Sequence, residues 1–299
     1  MIFTDFFRNK LMEFYNEEET EKIINGSLIK RKTTLRVNTL KTSVEAVAKV
    51  FDDNEIVYKH SPFSHTALII ENDNDKIRAL ELYGNGEIYL QSLSSQLPAL
   101  ILNPNQSCDV LDMCAAPGGK TTQLAMLSNN KCNITACEMN RNRAERLKFN
   151  LQKQGVTNAN VMVIDARNLE SFFSFDKILL DAPCSGSGTF NLNNPKSYSG
   201  FSAALIDKCV TSQAKLLDKA LSVLKVGGEL VYSTCSVLPI ENEKQLLKAM
   251  KKHNCELLEI DNSIKNHLPL LPCSLENALC ITPTDEYEGF FVAKIRKIG

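Results

Sequence analysis

The chain has 299 residues, a formal net charge of −1, and 43% apolar against 23% charged residues. That length suits one large or two medium domains, and the composition excludes disordered, collagenous and low-complexity classes. The longest apolar runs, such as Lys177-Ile178-Leu179-Leu180 and Ala99-Leu100-Ile101-Leu102, fall far short of the ~20 residues of a membrane span.

Residues 1–20 carry Glu13, Glu17, Glu18 and Glu19 without a long apolar core. They read as neither a secretory signal nor an Arg-rich transit peptide, so a cytoplasmic protein is expected. Helical stretches over 3–15 and 17–24 come first. A strand over 34–38, a helix over 44–51, short strands over 56–59 and 67–70 and a helix over 76–82 follow. Together they make a small α+β unit, assigned to 1–95, with the boundary within 84–104. From residue 108 the pattern changes. Strands are expected over 108–112, 133–138, 160–165, 177–181, 229–234 and 290–295. Helices are expected over 120–127, 141–154, 203–224 and 241–253. The strands are apolar without strict alternation, as suits burial on both faces. Gly155 and Gly227-Gly228 punctuate the helices. This predicts an α/β fold over 96–299: a doubly wound, mostly parallel sheet.

The ten cysteines include no C-x2-C pair, and there are only four histidines. Reduced thiols are expected, and no metal site. The near-zero net charge gives no global pull on a nucleic acid, so any such binding requires a local patch.

Four expected strands end in a carboxylate: Asp112, Glu138, Asp165 and Asp181. Ligands bind at that edge of a doubly wound sheet. The first strand runs into Asp112-Met113-Cys114-Ala115-Ala116-Pro117-Gly118-Gly119-Lys120-Thr121. Small residues and paired glycines let a backbone approach a ligand, and a helix N-terminus follows. The first glycine of a phosphate-binding P-loop is replaced by Cys114, and the dinucleotide pattern G-x-G-x-x-G is absent. What remains is a nucleoside-type cofactor loop. Glu138, roughly 20 residues on, is placed to hold a ribose hydroxyl pair. Asp165 is placed to receive an adenine amino group.

Residues 112–121 resemble motif I of the Fmu/Sun family of S-adenosylmethionine-dependent RNA cytosine-5 methyltransferases. Asp181-Ala182-Pro183-Cys184-Ser185-Gly186-Ser187-Gly188 is similar to motif IV. Tyr232-Ser233-Thr234-Cys235-Ser236 with Pro239-Ile240-Glu241-Asn242-Glu243 resembles motif VI. Gly289-Phe290-Phe291-Val292-Ala293 resembles the C-terminal motif. Leu35-Arg36-Val37-Asn38-Thr39-Leu40-Lys41 and residues 86–95 resemble the N-terminal signatures. The likeness spans about residues 30–296. It implies a Rossmann-like class I methyltransferase fold with S-adenosylmethionine as cofactor.

Cytosine C5 is too electron-poor to take a methyl group unaided, and addition of a thiolate to C6 solves this. Cys184 and Cys235 both follow central strands, and the residues alone leave them unranked. Pro183-Cys184 resembles the nucleophile motif of DNA cytosine-5 methyltransferases. The Fmu/Sun resemblance implies instead that Cys235 is the nucleophile and that Cys184 assists breakdown of the adduct. It places Asp181 against the base edge near N3 and beside the cofactor. Lys120 is a cation that could favour a thiolate. Cys114, Ala115, Ala116, Pro117, Gly118, Gly119 and Lys120 form the expected cofactor loop, with Glu138, Arg143, Asp165 and Asp181 around it. Lys30, Arg31, Lys32, Arg36 and Lys41 form the expected RNA-binding strip.

Two departures stand out. Residues 189–195 lack the arginines that relatives often carry before Asn194-Pro195, and Glu138 stands where Asp is common. RNA specificity is expected from the N-terminal part and the catalytic face. The reading is an RNA cytosine-5 methyltransferase acting as a monomer, with rRNA ahead of tRNA. An exocyclic-amine methyltransferase, a DNA methyltransferase and a non-catalytic RNA-binding assembly factor are the alternatives. Amine enzymes typically carry an aromatic residue where this chain has Cys184.

Overall fold

The computed structural model describes residues 3–72 and 76–299; residues 1, 2 and 73–75, which belong to the unit expected over 1–95, lie outside the described residues. Two helices come first, α1 (Phe3–Met12) and α2 (Glu17–Leu28). A capping box starts α2: Asn16 Oδ1 accepts from the Glu19 amide at 2.9 Å, and the Glu19 carboxylate accepts from the Asn16 amide at 3.1 Å. Asn25-Gly26-Ser27 reads as a stop, yet α2 continues through it. The Ser27 hydroxyl donates back to the Ile23 carbonyl at 2.8 Å, and its turn is buried.

Next come β1 (Thr34–Val37), α3 (Val44–Asp53), β2 (Tyr58–Ser61), β3 (Ser64–Ile70), α4 (Glu81–Gly84) and β4 (Ile88–Leu90). The strands form an antiparallel sheet in the order β2-β3-β1-β4. This is a split βαββαβ arrangement. Its own core includes Leu35, Val37, Phe51, Leu68, Ile70 and Ile88.

The larger layer follows: α5 (Leu93–Leu102), β5 (Asp109–Asp112), α6 (Gly119–Leu127), β6 (Asn133–Cys137), α7 (Arg141–Lys153) and β7 (Ala159–Met162). It continues through β8 (Phe175–Asp181), α8 (Ala203–Val223), β9 (Leu224–Thr234) and α9 (Glu243–Lys252). The chain ends with β10 (Cys255–Leu258), α10 (Asn262–Lys265), β11 (Leu270–Leu271), β12 (Leu279–Ile281) and β13 (Phe290–Lys297). The sheet order is β11-β12-β13-β9-β8-β5-β6-β7, with β10 on β13. β5 to β9 run parallel, while β13 and the short strands beyond it are antiparallel. The doubly wound expectation holds, with an antiparallel flank that the sequence reading reduced to one strand.

The boundary expected at 95/96 falls inside α5. Its Pro98 and unbroken apolar run hide the helix from a periodicity reading, because it is buried on nearly every side. Nor does the N-terminal unit own all of its interior. Phe7, Leu11 and Ile23 of α1 and α2 join the cluster of Leu180, Leu217, Tyr232 and Phe291 beneath the large sheet. Phe3 stacks on Tyr198 at 3.8 Å between ring centroids.

Arg36 corrects one expectation. It sits on β1 opposite Tyr89 and is 0% exposed, so it cannot meet RNA. Its guanidinium donates to Gln91 Oε1 at 3.3 Å, Thr122 Oγ1 at 2.9 Å and Met126 Sδ at 3.1 Å, with Tyr89 beside it. It thereby joins the small sheet to α6. Burial of this unpaired cation pulls its pKa down to about 10. Removing it orphans several acceptors, so Arg36→Ala is expected to cost roughly 2–4 kcal/mol of stability. Urea unfolding checks this, and an unshifted midpoint would contradict it.

Candidate active site

The sheet changes winding direction between β5 and β8, and ligands bind outside such a switch point at the carboxyl edge. Every strand-end group singled out above lies there. The loop after β5 is pinned from behind. The Ala115 amide donates to the Cys137 carbonyl at 3.0 Å, and Asn150 Nδ2 donates to the Pro117 carbonyl at 2.7 Å. Gly118 has φ +110°, a conformation that side chains rarely adopt.

A cavity of about 240 Å³ lies against this loop, lined by Cys114, Ala116, Glu138, Arg143, Asp165, Asp181, Cys184 and Cys235 among others. A second, of about 270 Å³, shares Cys114, Ala116 and Asp181 with it and adds Ala115, Pro117, Gly119, Lys120, Tyr89 and Gln91. Gly118 lies under the loop rather than on either wall. Glu138 is buried; its carboxylate accepts from the Asn140 amide at 2.8 Å and pairs with Arg143 Nη1 at 3.3 Å. Arg143 also donates to the Ala116 carbonyl at 2.9 Å and so braces the loop.

Asp165 has a partner within the fold. Arg167, which the sequence reading passed over, donates from Nε to both Asp165 oxygens at 2.9 and 3.0 Å. The hydrogen bond from Arg167 holds the Asp165 carboxyl below its ordinary range. An adenine amino group there would share an occupied carboxylate. The Asp-x-Arg spacing was the available signal.

Asp181 ends β8 with both oxygens engaged. Lys120 Nζ is 2.7 Å from one, and Ser233 Oγ donates to the other at 2.7 Å. Lys120 also donates to Ser95 Oγ at 2.8 Å. Burial opposes the charge on Lys120, but Asp181 outweighs it and keeps its pKa raised. Cys184 and Cys235 meet with their sulfurs 3.0 Å apart. The hydrogen bond to Cys235 and burial push the Cys184 thiol well up. Burial does the same to Cys114 beside Asp112, which leaves that thiol a poor nucleophile. Among the described residues no group of three or more His, Cys, Asp or Glu is arranged to hold a metal ion.

Most residues of the expected basic strip have partners within the fold. Besides Arg36, the Arg31 guanidinium donates to the carbonyls of Gly188, Thr189 and Phe190 at 3.3, 3.1 and 3.1 Å. Lys32 is bound by Glu71, Glu286 and Asp285 at 3.0, 3.2 and 3.4 Å. Lys30 and Lys41 remain exposed, the latter donating to the Asn85 carbonyl at 2.8 Å.

The first of the four carboxylates, Asp112, is 1% exposed and accepts from Thr121 Oγ1 at 2.7 Å. Burial raises its pKa to about 6 from an ordinary 3.8, with Thr121 opposing and Asp181 adding to the rise. The folded state therefore binds this proton more tightly than the unfolded chain. The stability it contributes is fully present below about 4 and is lost as pH rises to about 6. Asp112→Asn keeps an acceptor for Thr121. The wild-type-minus-variant difference in unfolding free energy is expected to change by about 3 kcal/mol across that window. A difference flat with pH would refute the assignment.

Comparison with known proteins gives a consistent picture. The family model described as 16S rRNA methyltransferase RsmB/F matches residues 99–296, and an RsmF/B-like ferredoxin-like domain matches 3–75. The chain is 32% identical to a 28S rRNA (cytosine-C(5))-methyltransferase of Mus musculus, over 99% of this chain but only 39% of that protein. It is also 32% identical to a tRNA (cytosine(49)-C(5))-methyltransferase of Pyrococcus abyssi, over 96% of each. A crystal structure of a methyltransferase homologue from Pyrococcus horikoshii superposes with a TM-score of 0.81 at 32% identity, covering 98% of this chain and 99% of that one.

Proposed function

Because the chain belongs to the RsmB/F methyltransferase family, we propose that it transfers a methyl group from S-adenosylmethionine to C5 of a cytosine in RNA. One observation carries this reading: two thiols 3.0 Å apart on the cavity that Asp181 and the Gly-rich loop share.

The cavity suits the cofactor. A backbone loop of small residues offers close approach, Glu138 offers a carboxylate for a ribose hydroxyl pair, and Ile164, Met139 and Leu216 offer apolar surface for a base. S-adenosylmethionine bound there supplies an electrophilic methyl group. Residues 114–119, Glu138 and Arg143 would hold it, with Asp165, Arg167 and Asp181 bordering it.

The protein's own groups do the rest. Cys235 adds through sulfur to cytosine C6, and the C5–C6 electron pair moves onto C5. Asp181 faces the base edge near N3 and shares a proton there. After C5 is methylated, its proton passes to water, the C–H pair re-forms the C5–C6 double bond, and the C6–S pair returns to the Cys235 sulfur as that bond breaks. Cys184, next to Cys235, assists that breakdown. The division of labour is supported electrostatically. The hydrogen bond to Cys235 and burial keep Cys184 a thiol. The target base must leave its stack to reach these sulfurs.

Ribosomal RNA is the substrate we favour, since the matching family model and the Mus musculus relative are both described by rRNA. Transfer RNA is the second reading, because the relative matched over 96% of its length is named for it. Methyl transfer to each RNA, mapped by bisulfite sequencing, separates the two.

Two outcomes are expected. Cys235→Ala abolishes methylation and any adduct, whereas Cys184→Ala accumulates an RNA–protein adduct on denaturing gels. An adduct seen only with Cys235→Ala would reverse the assignment. Replacing both Lys30 and Lys41 by Ala should weaken RNA binding and reduce the slope of log affinity against log salt by about 1.5. A slope equal to wild type would move the phosphate contacts elsewhere.

A further inference from the structure

The chain turns through residues 237–242 between β9 and α9. Helical periodicity assigns Glu241 to the first turn of that helix, but the structure places it before the helix and 0% exposed. Its carboxylate is enclosed by donors. Oε1 accepts from the Ser185 amide at 2.7 Å; Oε2 accepts from Ser185 Oγ at 2.6 Å and Ser236 Oγ at 2.5 Å. Gln213 Nε2 lies 3.4 Å from Oε1 and also donates to the Pro183 carbonyl at 2.9 Å. No cation pairs with Glu241 among the described residues. A buried carboxylate without a cation is costly unless hydrogen bonds offset the lost hydration.

The identity of those donors carries the inference. Ser185 directly follows Cys184, and Ser236 directly follows Cys235. Pro183, reached through Gln213, directly precedes Cys184. One carboxylate therefore holds the backbone beside both sulfurs. A second hydroxyl pair reinforces the tie: Ser187 Oγ and Ser236 Oγ are 2.9 Å apart.

We propose that Glu241 is a positioning residue for both thiols, setting the separation at which the Cys184 and Cys235 sulfurs act. The inference rests on the reaction proposed above and adds a residue to it. Its charge also has a direction. The titratable groups facing Cys184 are Tyr232 from β9, Cys235 just beyond it, Glu241 from the following turn and Asp181 from β8. Lys120, a cation on this edge, is held against Asp181. The hydrogen bond to Cys235 and burial push the Cys184 thiol up, and the negative charge at Glu241 adds to that rise.

The test uses Glu241→Gln, which keeps the shape and removes the charge. The amide oxygen still accepts from the Ser185 amide, and the serine hydroxyls can rotate to accept from its nitrogen. Iodoacetamide labelling across pH, read peptide by peptide by mass spectrometry, follows each thiol without RNA. The midpoint for Cys184 is expected to fall by about 1 pH unit. In methyl transfer, kcat should fall about tenfold with KM for RNA unchanged, as a misplaced reacting pair requires. A folded variant with the wild-type midpoint and kcat would overturn the proposal. If Glu241→Gln does not fold, Ser236→Ala decides. It keeps the charge and drops one tether, so kcat should fall severalfold with the Cys184 midpoint unmoved; wild-type kcat would overturn the role. A shifted midpoint in a protein that methylates no RNA supports the tether and defeats the methyltransferase reading instead.

Discussion

The parallel pairing of β8 with β9 is the constraint from which the reactive end follows. Its register sets Asp181 opposite Ser233, and their side chains hydrogen-bond at 2.7 Å. Parallel strands deliver their exits to the same edge. Cys184 and Cys235 leave that edge in the residues just beyond the pair, so their meeting is a result of strand direction before it is a result of side-chain chemistry. An antiparallel pair would have sent one thiol to the far side of the sheet. The neighbouring β5 then supplies the loop, and Lys120 on α6 reaches across to Asp181. That ion pair joins the start of α6 to the end of β8.

Much of this was legible in the residues. Strands buried on both faces must be apolar throughout, and at their ends the chain must turn, so runs such as Ile178-Leu179-Leu180 followed by Asp181 announce both an element and its edge. The Gly-rich loop announced itself by what it lacked as much as by what it held. The same reasoning failed where burial overrode chemistry. Arg36 and Arg31 carry charge, and charge usually marks a surface. Here the fold spends both on its own acceptors, Arg36 on Gln91 and Thr122, Arg31 on the carbonyls after Cys184. No local pattern states where a long side chain will end.

Glu241 failed for a related reason. A glutamate just ahead of a helical pattern has the appearance of a first-turn acid that complements the helix dipole. Only the tertiary return of β9 next to β8 brings Ser185 to it. The short strands β10, β11 and β12 escaped because segments this brief are specified by their partners, chiefly β13, rather than by any run of their own. The common thread is sequence distance. Features fixed by neighbours in the chain were readable, and features fixed by neighbours in space were not.

The loop after Cys184 is completed by segments far from it in the chain. The Gly188 amide donates to the Cys235 carbonyl at 3.0 Å, and the Gly188 carbonyl accepts from the Gly289 amide at 2.8 Å. A Cβ on Gly188 would lie 1.9 Å from the Gly289 oxygen, so the two backbones touch. Arg31 closes the same loop from the opposite direction. During synthesis, then, Cys184 emerges long before the strand that finishes its surroundings. Contacts of such long range form late in folding. The pairing of the two sulfurs is therefore a property of the finished fold rather than of either segment of the chain.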